Sequence, residues 1–247
     1  MSAAAPQPEG SAPADAIELV AAGQRLVAAA AERSVTLRLL GGAGVMLHCQ
    51  RTLAGVPHRQ IGDLDVIVPG SAGRQVGAVF QSDGYEPDRR FNAMQGDRRM
   101  IFNGPLGKVD VFVDSFELCH RLELTSRLTL EPETITAADL LLTKLQVVEL
   151  TQKDVDDVAL LLTEHELGSG PGDHIDVAYV SELMGDDWGL WRTSSQTLND
   201  VAGRRPELAA KANELAAAFE AAPKTRRFRM RARVGERKRW YEIPDET

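Results

Sequence analysis

An α/β (α+β) fold is the class this chain of 247 residues predicts: a mixed β-sheet domain, then a helical domain, then a basic C-terminal hairpin or tail. Three observations carry that expectation. Helical and strand-like segments alternate from Ile17 to Val113, as they do where helices cover a sheet. Beyond Glu131-Pro132 the character changes to helical spacing as far as the tail. From Lys224 to Arg239 the run KTRRFRMRARVGERKR holds nine basic residues and one acid, although the whole chain carries a formal charge of −8.

Met1 to Asp15 is rich in Ala, Pro and Gly, lacks any basic residue, and is expected to be a disordered leader over residues 1–15. Ile17 to Arg33 places apolar residues at helical spacing among good helix formers. Thr36 to Leu40 is a short strand that ends at Gly41-Gly42, and Ala43 to Gln50 is a helix starting on that turn, with backbone N–H groups aimed at whatever sits there. Leu53 to Gln60, containing Pro57, is expected to be a loop. Asp63 to Val68 is a strand closed by Pro69-Gly70, after which Ser71 is expected to cap a helix to Ser82. Arg98 to Val113 reads as a hairpin turning at Asn103-Gly104-Pro105-Leu106-Gly107. These elements make a first domain over 16–131.

In the second domain, 132–222, Thr136 and Asp139 resemble a capping box that opens a helix through Leu150. Further helices are expected over Lys153 to Glu166, Asp176 to Met184, Trp188 to Ala202 and Pro206 to Ala221. In the tail, 223–247, arginine alternates with other residues from Arg227 to Val234. As a strand this has one arginine face, and Gly235-Glu236 would turn it into a second arm.

The chemistry concentrates in Ile61 to Val68, IGDLDVIV. On a strand Asp63 and Asp65 project from one face while Leu64, Val66 and Val68 project from the other. Two carboxylates in a partly desolvated place raise each other's pKa unless a cation compensates, and Mg²⁺, which prefers oxygen ligands, is the usual one. On the later strand Asp110 and Asp114 share a face; Asp114, beside Ser115 at the strand end, fits a turn better, so Asp110 is the third candidate. Glycines at a helix start followed by three strand carboxylates suit phosphoryl chemistry. A dinucleotide fingerprint is absent, because Leu47 stands where its last glycine belongs.

Lys144 lies on a helix with Leu140, Leu141, Leu145 and Val148; it either reaches the site to neutralise phosphate charge or snorkels to solvent. In Lys153-Asp154-x-Asp156-Asp157 the residues Asp154 and Asp157 share a helix face, with Asp156 turned aside. They either wall a cleft or leave Asp154 as a simple cap.

Other classes lack support. No apolar run reaches the ~20 residues of a membrane span. Cys49 and Cys119 have no metal-binding spacing and read as reduced thiols, which fits a cytoplasmic protein. The five histidines show no ligand motif, and no serine or cysteine nucleophile has a supporting constellation. An arginine face formed by Arg227, Arg229, Arg231 and Arg233 would attract RNA, DNA or a nucleotide; alternatively it pairs with the acidic body.

Together, LLGGAGVML, RQIGDLDVIV and KVDVFVD resemble the signature of the nucleotidyltransferases of the DNA polymerase β superfamily, in particular their minimal and AbiE-type toxin branches. DLLLTKLQVVELTQKDVDDVALLL resembles the lysine-bearing helical segment and the Lys-Asp-x-x-Asp run that follow. The resemblance spans Leu39 to Leu162. It implies transfer of a nucleoside monophosphate from a nucleoside triphosphate to an acceptor hydroxyl, with Mg²⁺ or Mn²⁺ held by Asp63, Asp65 and Asp110, the last also a candidate general base. Gly41, Gly42, Lys144 and Asp157 would lie at the nucleotide. The acceptor it implies is a tRNA end, a protein hydroxyl or a small molecule such as an aminoglycoside, and an antitoxin protein is an implied partner. Two departures stand out: the Gly42 to Asp63 interval is long, and Gly42 replaces the serine of many members. The competing expectation is a non-catalytic nucleic-acid-binding or regulatory protein that retains the fold.

Overall fold

The structure is a computed structural model that describes residues 16–54, 61–73, 75–170 and 172–243. Helix α1 (Ala16–Glu32) buries Leu19, Leu26 and Val27 along one stripe. Strand β1 (Arg38–Leu40) leads directly into α2 (Gly41–His48), which begins at the first glycine rather than at Ala43. A single turn, α3 (Gln50–Leu53), follows. The expected loop to Gln60 and the expected leader fall mostly or wholly outside the described residues.

Strand β2 (Leu64–Val68) runs to a 3₁₀ turn at Gly70–Ala72 and then α4 (Gln75–Ser82). Ser71 sits inside that turn, so it does not cap the helix as expected. After β3 (Glu86–Pro87), α5 (Arg89–Gln95) is capped by Asp88, whose carboxylate accepts from the Phe91 N–H at 2.9 Å. The expected hairpin is β4 (Arg99–Gly104) and β5 (Gly107–Val113), with Gly104 opposite Gly107.

The five strands form one mixed sheet in the order β1-β2-β5-β4-β3. Its central pair, β2 and β5, is parallel and sets Asp65 opposite Asp110. Period-2 alternation then sorts the side chains. Leu64, Val66, Val68, Val109, Val111 and Val113 join a core with Leu19, Leu26 and Phe80. Ile67 and Phe112, on the face that also carries Asp65 and Asp110, join a second core made largely by the later helices.

A small hairpin, β6 (Ser115–Glu117) with β7 (Arg121–Glu123), precedes the helices. The chain then returns along β1: Leu39 donates its N–H to the Glu133 carbonyl at 2.9 Å and its carbonyl accepts from Ile135 at 3.1 Å. Helix α6 (Ala137–Leu145) starts at Thr136, which accepts from the Asp139 N–H, and stops short of the expected Leu150. Helix α7 (Gln152–Glu164) is opened by a reciprocal capping box of Thr151 and Asp154, so Thr151 is the cap and Asp154 its partner. A two-residue ladder, β8 (Leu167–Gly168) with β9 (Ile175–Asp176), leads into α8 (Val177–Asp186), α9 (Trp188–Arg204) and α10 (Ala209–Ala221). Among the described residues no helix is long and apolar enough to cross a membrane.

The C-terminal hairpin is not formed. Residues 226–234 fold instead as helix α11 (Arg226–Val234), so the expected arginine face of a strand does not exist. Thr225 caps it, accepting from the Phe228 N–H at 3.1 Å, and Gly235 ends it at φ +58°. Phe228 is its buried anchor, with its ring 5.6 Å from that of Trp191.

Candidate functional site

Asp63, Asp65 and Asp110 converge. One carboxylate oxygen from each lies within 4.8 Å of the others, an arrangement compatible with a divalent metal. Asp63 ends the loop before β2, Asp65 is the second residue of that strand, and the parallel register delivers Asp110 beside it. All three donors are hard oxygen ligands, a set that suits Mg²⁺ or Mn²⁺ and not a soft metal.

The glycine turn belongs to the same place. Gly41 has φ +59°, and a Cβ there would fall 2.0 Å from Oδ2 of Asp65. Only glycine both tolerates this backbone and leaves the carboxylate room. Gly42 is buried in the first turn of α2.

Burial pushes the Asp65 carboxyl up to about 7, and the charges of Asp63 and then Asp110 add to it. The charges of Lys144 and Lys153 pull in the opposite direction. Asp65 is therefore held in a site that favours a proton or a cation over bare negative charge.

Asp110 is buried and already engaged. Arg99 donates to its Oδ1 through Nε at 3.1 Å and Nη2 at 2.8 Å, and Lys108 Nζ lies 3.0 Å from Oδ2. An ionised carboxylate has about four lone-pair sites, so about one remains for a further ligand. These two cations were missed in the sequence reading. Lys108 is two residues before Asp110 and so shares its face. Once the turn pairs Gly104 with Gly107, Ile101 falls opposite Asp110 and Arg99 lies diagonally across from it.

Lys144 does not snorkel into solvent. Its ammonium sits 2.9 Å from Oδ2 of the buried Asp157 and 3.6 Å from Oδ1 of Asp154, joining α6 to α7. Asp156 turns away to Arg205. Asp114, at φ +62°, accepts from the Gly70 N–H and the Thr125 hydroxyl, both at 2.8 Å, and is a turn residue outside the cluster. Arg227, Arg229, Arg231 and Arg233 are not gathered here; they lie around α11.

No family model and no curated protein matches the chain. Among solved structures it is similar to the antibiotic-resistance factor ANT(2'')-Ia, at 15% identity over 60% of this chain and 84% of that one, with a TM-score of 0.43. It is also similar to an antigenic nucleotidyltransferase-like protein from Paracoccidioides brasiliensis, at 16% identity over 87% and 97% of the two chains, TM-score 0.46. A third is the lincosamide antibiotic adenylyltransferase LnuA with bound lincomycin, at 18% identity over 55% and 91%, TM-score 0.40. All three likenesses are remote, and what this chain does rests on its own residues.

Proposed function

We propose that the protein is a metal-dependent nucleotidyltransferase that moves a nucleoside monophosphate from a nucleoside triphosphate to an acceptor hydroxyl. The convergence of Asp63, Asp65 and Asp110 beside the positive-φ Gly41 is the observation that carries this reading. In the reaction the acceptor hydroxyl gives up its proton to a carboxylate of the site or to solvent, its oxygen bonds to the α-phosphorus, the bond from that phosphorus to the oxygen bridging the β-phosphate breaks, and pyrophosphate leaves.

A divalent cation would be held by Asp63, Asp65 and Asp110, and when bound it would supply charge neutralisation for the phosphates and a lowered pKa for the attacking hydroxyl. The chain's own residues prepare that site. Asp63 and Asp65 offer the more accessible oxygens, whereas Arg99 and Lys108 fix the orientation of Asp110. Helix α2 begins at Gly41, against Asp65, with no side-chain cap, so the N–H groups of its first turn would serve a triphosphate held at the cluster. Lys144, held by Asp157 and Asp154, contributes positive charge at a fixed place.

Each α-labelled nucleoside triphosphate, incubated with the protein and Mg²⁺ with and without total tRNA, tests this. Label transfer that requires Mg²⁺ and is lost in Asp65→Ala is the expected result; no transfer and no metal-dependent triphosphate binding would sink the proposal. In a toxin role, expression would arrest growth and Asp63→Ala would relieve the arrest.

One observation favours a second reading. With most of its lone pairs taken by Arg99 and Lys108, Asp110 suits a protein that kept the fold and gave up the metal. Such a protein would bind its partner equally well in chelator and in Mg²⁺.

A further inference from the structure

The basic tail, refolded as α11, builds a second site that shares no lining residue with the carboxylate cluster. A cleft of about 820 Å³ opens between α11, the start of α9, the β6–β7 turn and residues 239–242. Part of its wall is aromatic, from Trp240, Tyr241 and the buried Trp188, with Trp240 edge-on to Trp188 at 5.9 Å and to Tyr241 at 5.4 Å, and the carboxylates Asp187 and Glu242 line it as well. Trp240 is held in place, because its indole N–H donates to the Thr193 hydroxyl at 3.1 Å and His120 contacts the same hydroxyl at 2.9 Å. Arg239 stands over Tyr241, 5.9 Å from the ring centre.

The arginines of α11 divide into two sets. Arg227 pairs with Asp186 and Asp187, and Arg231 turns inward, 4.8 Å over Trp188, donating to the Gly235 and Lys238 carbonyls at 2.7 Å. Those two hold the helix down. Arg226, Arg229 and Arg233 are exposed and form no ion pair among the described residues. At spacings of three and four they line one helix face over about 10 Å. On a chain of net charge −8, three unpaired arginines in a row are a local reversal of sign.

We infer that this surface binds a single-stranded nucleic acid, its phosphates along Arg226, Arg229 and Arg233 and an unstacked base in the Trp188–Trp240–Tyr241 cleft. Arg227 and Arg231 line the cleft, and Arg226, Arg229 and Arg233 lie on the neighbouring face of α11, so a strand with a base in the cleft crosses the helix to reach them; single strands are held by such pairing of positive charge with aromatic faces, and a cleft of this size admits a base with its sugar. A small anion would explain the cleft but not the unpaired arginines on the neighbouring face of α11. Binding stands apart from nucleotidyl transfer; that the bound strand is the acceptor rests on that proposal.

Fluorescence anisotropy of labelled single-stranded RNA and DNA oligomers with the full chain tests the site. The triple variant Arg226→Glu, Arg229→Glu, Arg233→Glu is expected to weaken binding at least about tenfold and to flatten the dependence of log K on log salt by about two, given ~0.7 per phosphate contact. Loss of a stacked base in Trp240→Leu is expected to cost about tenfold or more. Because Trp240 also bonds Thr193, Tyr241→Leu and circular dichroism accompany it. Binding of the RNA arm names RNA as the source, binding of the DNA arm names DNA, and either supports the site. Binding of neither at low salt, or equal affinity for wild type and the triple variant, overturns it. Asp65→Asn is expected to bind as wild type does while losing transfer, so failure of the enzyme proposal and failure of this one are told apart.

Discussion

Asp65 is the residue on which the site's energetics turn. Its carboxyl titrates at about 7 in the folded chain against an ordinary 3.8, so between those values the folded protein holds a proton that the unfolded chain has released. Without a cation, stability therefore falls as pH rises from about 4 to about 7, by on the order of 3 kcal/mol. Urea unfolding in chelator should show wild type losing that increment between pH 5 and pH 8, Asp65→Asn losing little, and Mg²⁺ restoring wild type alone. Parallel behaviour of the two proteins would mean that Asp65 is not the strained group. Gly41 is the companion case. Gly41→Ala forces a left-handed backbone costing roughly 1–2 kcal/mol and pushes Asp65 out of place. Its expected outcome is a measurable loss in unfolding free energy together with weaker metal binding by calorimetry; unchanged metal affinity would separate the glycine from the site.

At the scale of elements, the contacts that hold the site are short capped helices packed on strands, and one of them carries a pH signature. Burial alone would raise the Glu164 carboxyl, but hydrogen bonds from Arg51 and from the hydroxyl and N–H of Thr52 bring it down to about 2. A folded pKa below the unfolded one adds stability that is present above about 4.5 and fades as pH falls toward 2. Glu164→Gln should thus be less stable than wild type at pH 6, with the gap closing in thermal melts near pH 2; a constant gap would rule out the ionised carboxylate as its source. The sequence made β1, β2, β4 and β5 legible because short apolar runs there are bounded by glycine and proline turns, and the Gly-Pro turn fixed the hairpin register that carries Asp110, whereas β3, β6, β7, β8 and β9, at two or three residues each, are too short to show a period. It also contained the stop signals that the tail reading passed over: Thr225 before the arginines and Gly235 after them bracket a helix, and arginine is a better helix former than strand former. Alternation was misleading there because Met230 is exposed and only Phe228 is buried, so no second apolar face exists. The cations around Asp110 were hidden for a different reason, since they come from diagonal neighbours across a register that one line of sequence does not display.

Across the whole molecule, the sheet belongs to two cores at once. Leu40, Val45, Ile67 and Phe112 from the first half share a continuous cluster with Leu140, Leu161, Leu198 and Phe219 from the second. A division near Glu131 is a proposal about organisation, and the apolar packing continues across it. Trp188, Trp191 and Trp240 all lie in the second half. Their fluorescence should therefore unfold at the same denaturant concentration as the circular dichroism of the whole chain, and separated midpoints would show two independent units. The same geometry sets the carboxylate cluster on the sheet face that the helices cover, with the charge of Lys144, fixed between α6 and α7, opposing its negative charge. The claim that this cluster is a metal-dependent triphosphate site is tested most directly by calorimetric titration of a non-hydrolysable triphosphate in Mg²⁺ and in chelator. Binding that requires Mg²⁺ and falls at least about tenfold in Asp65→Asn is predicted; equal binding with and without the metal, or in both proteins, would contradict it.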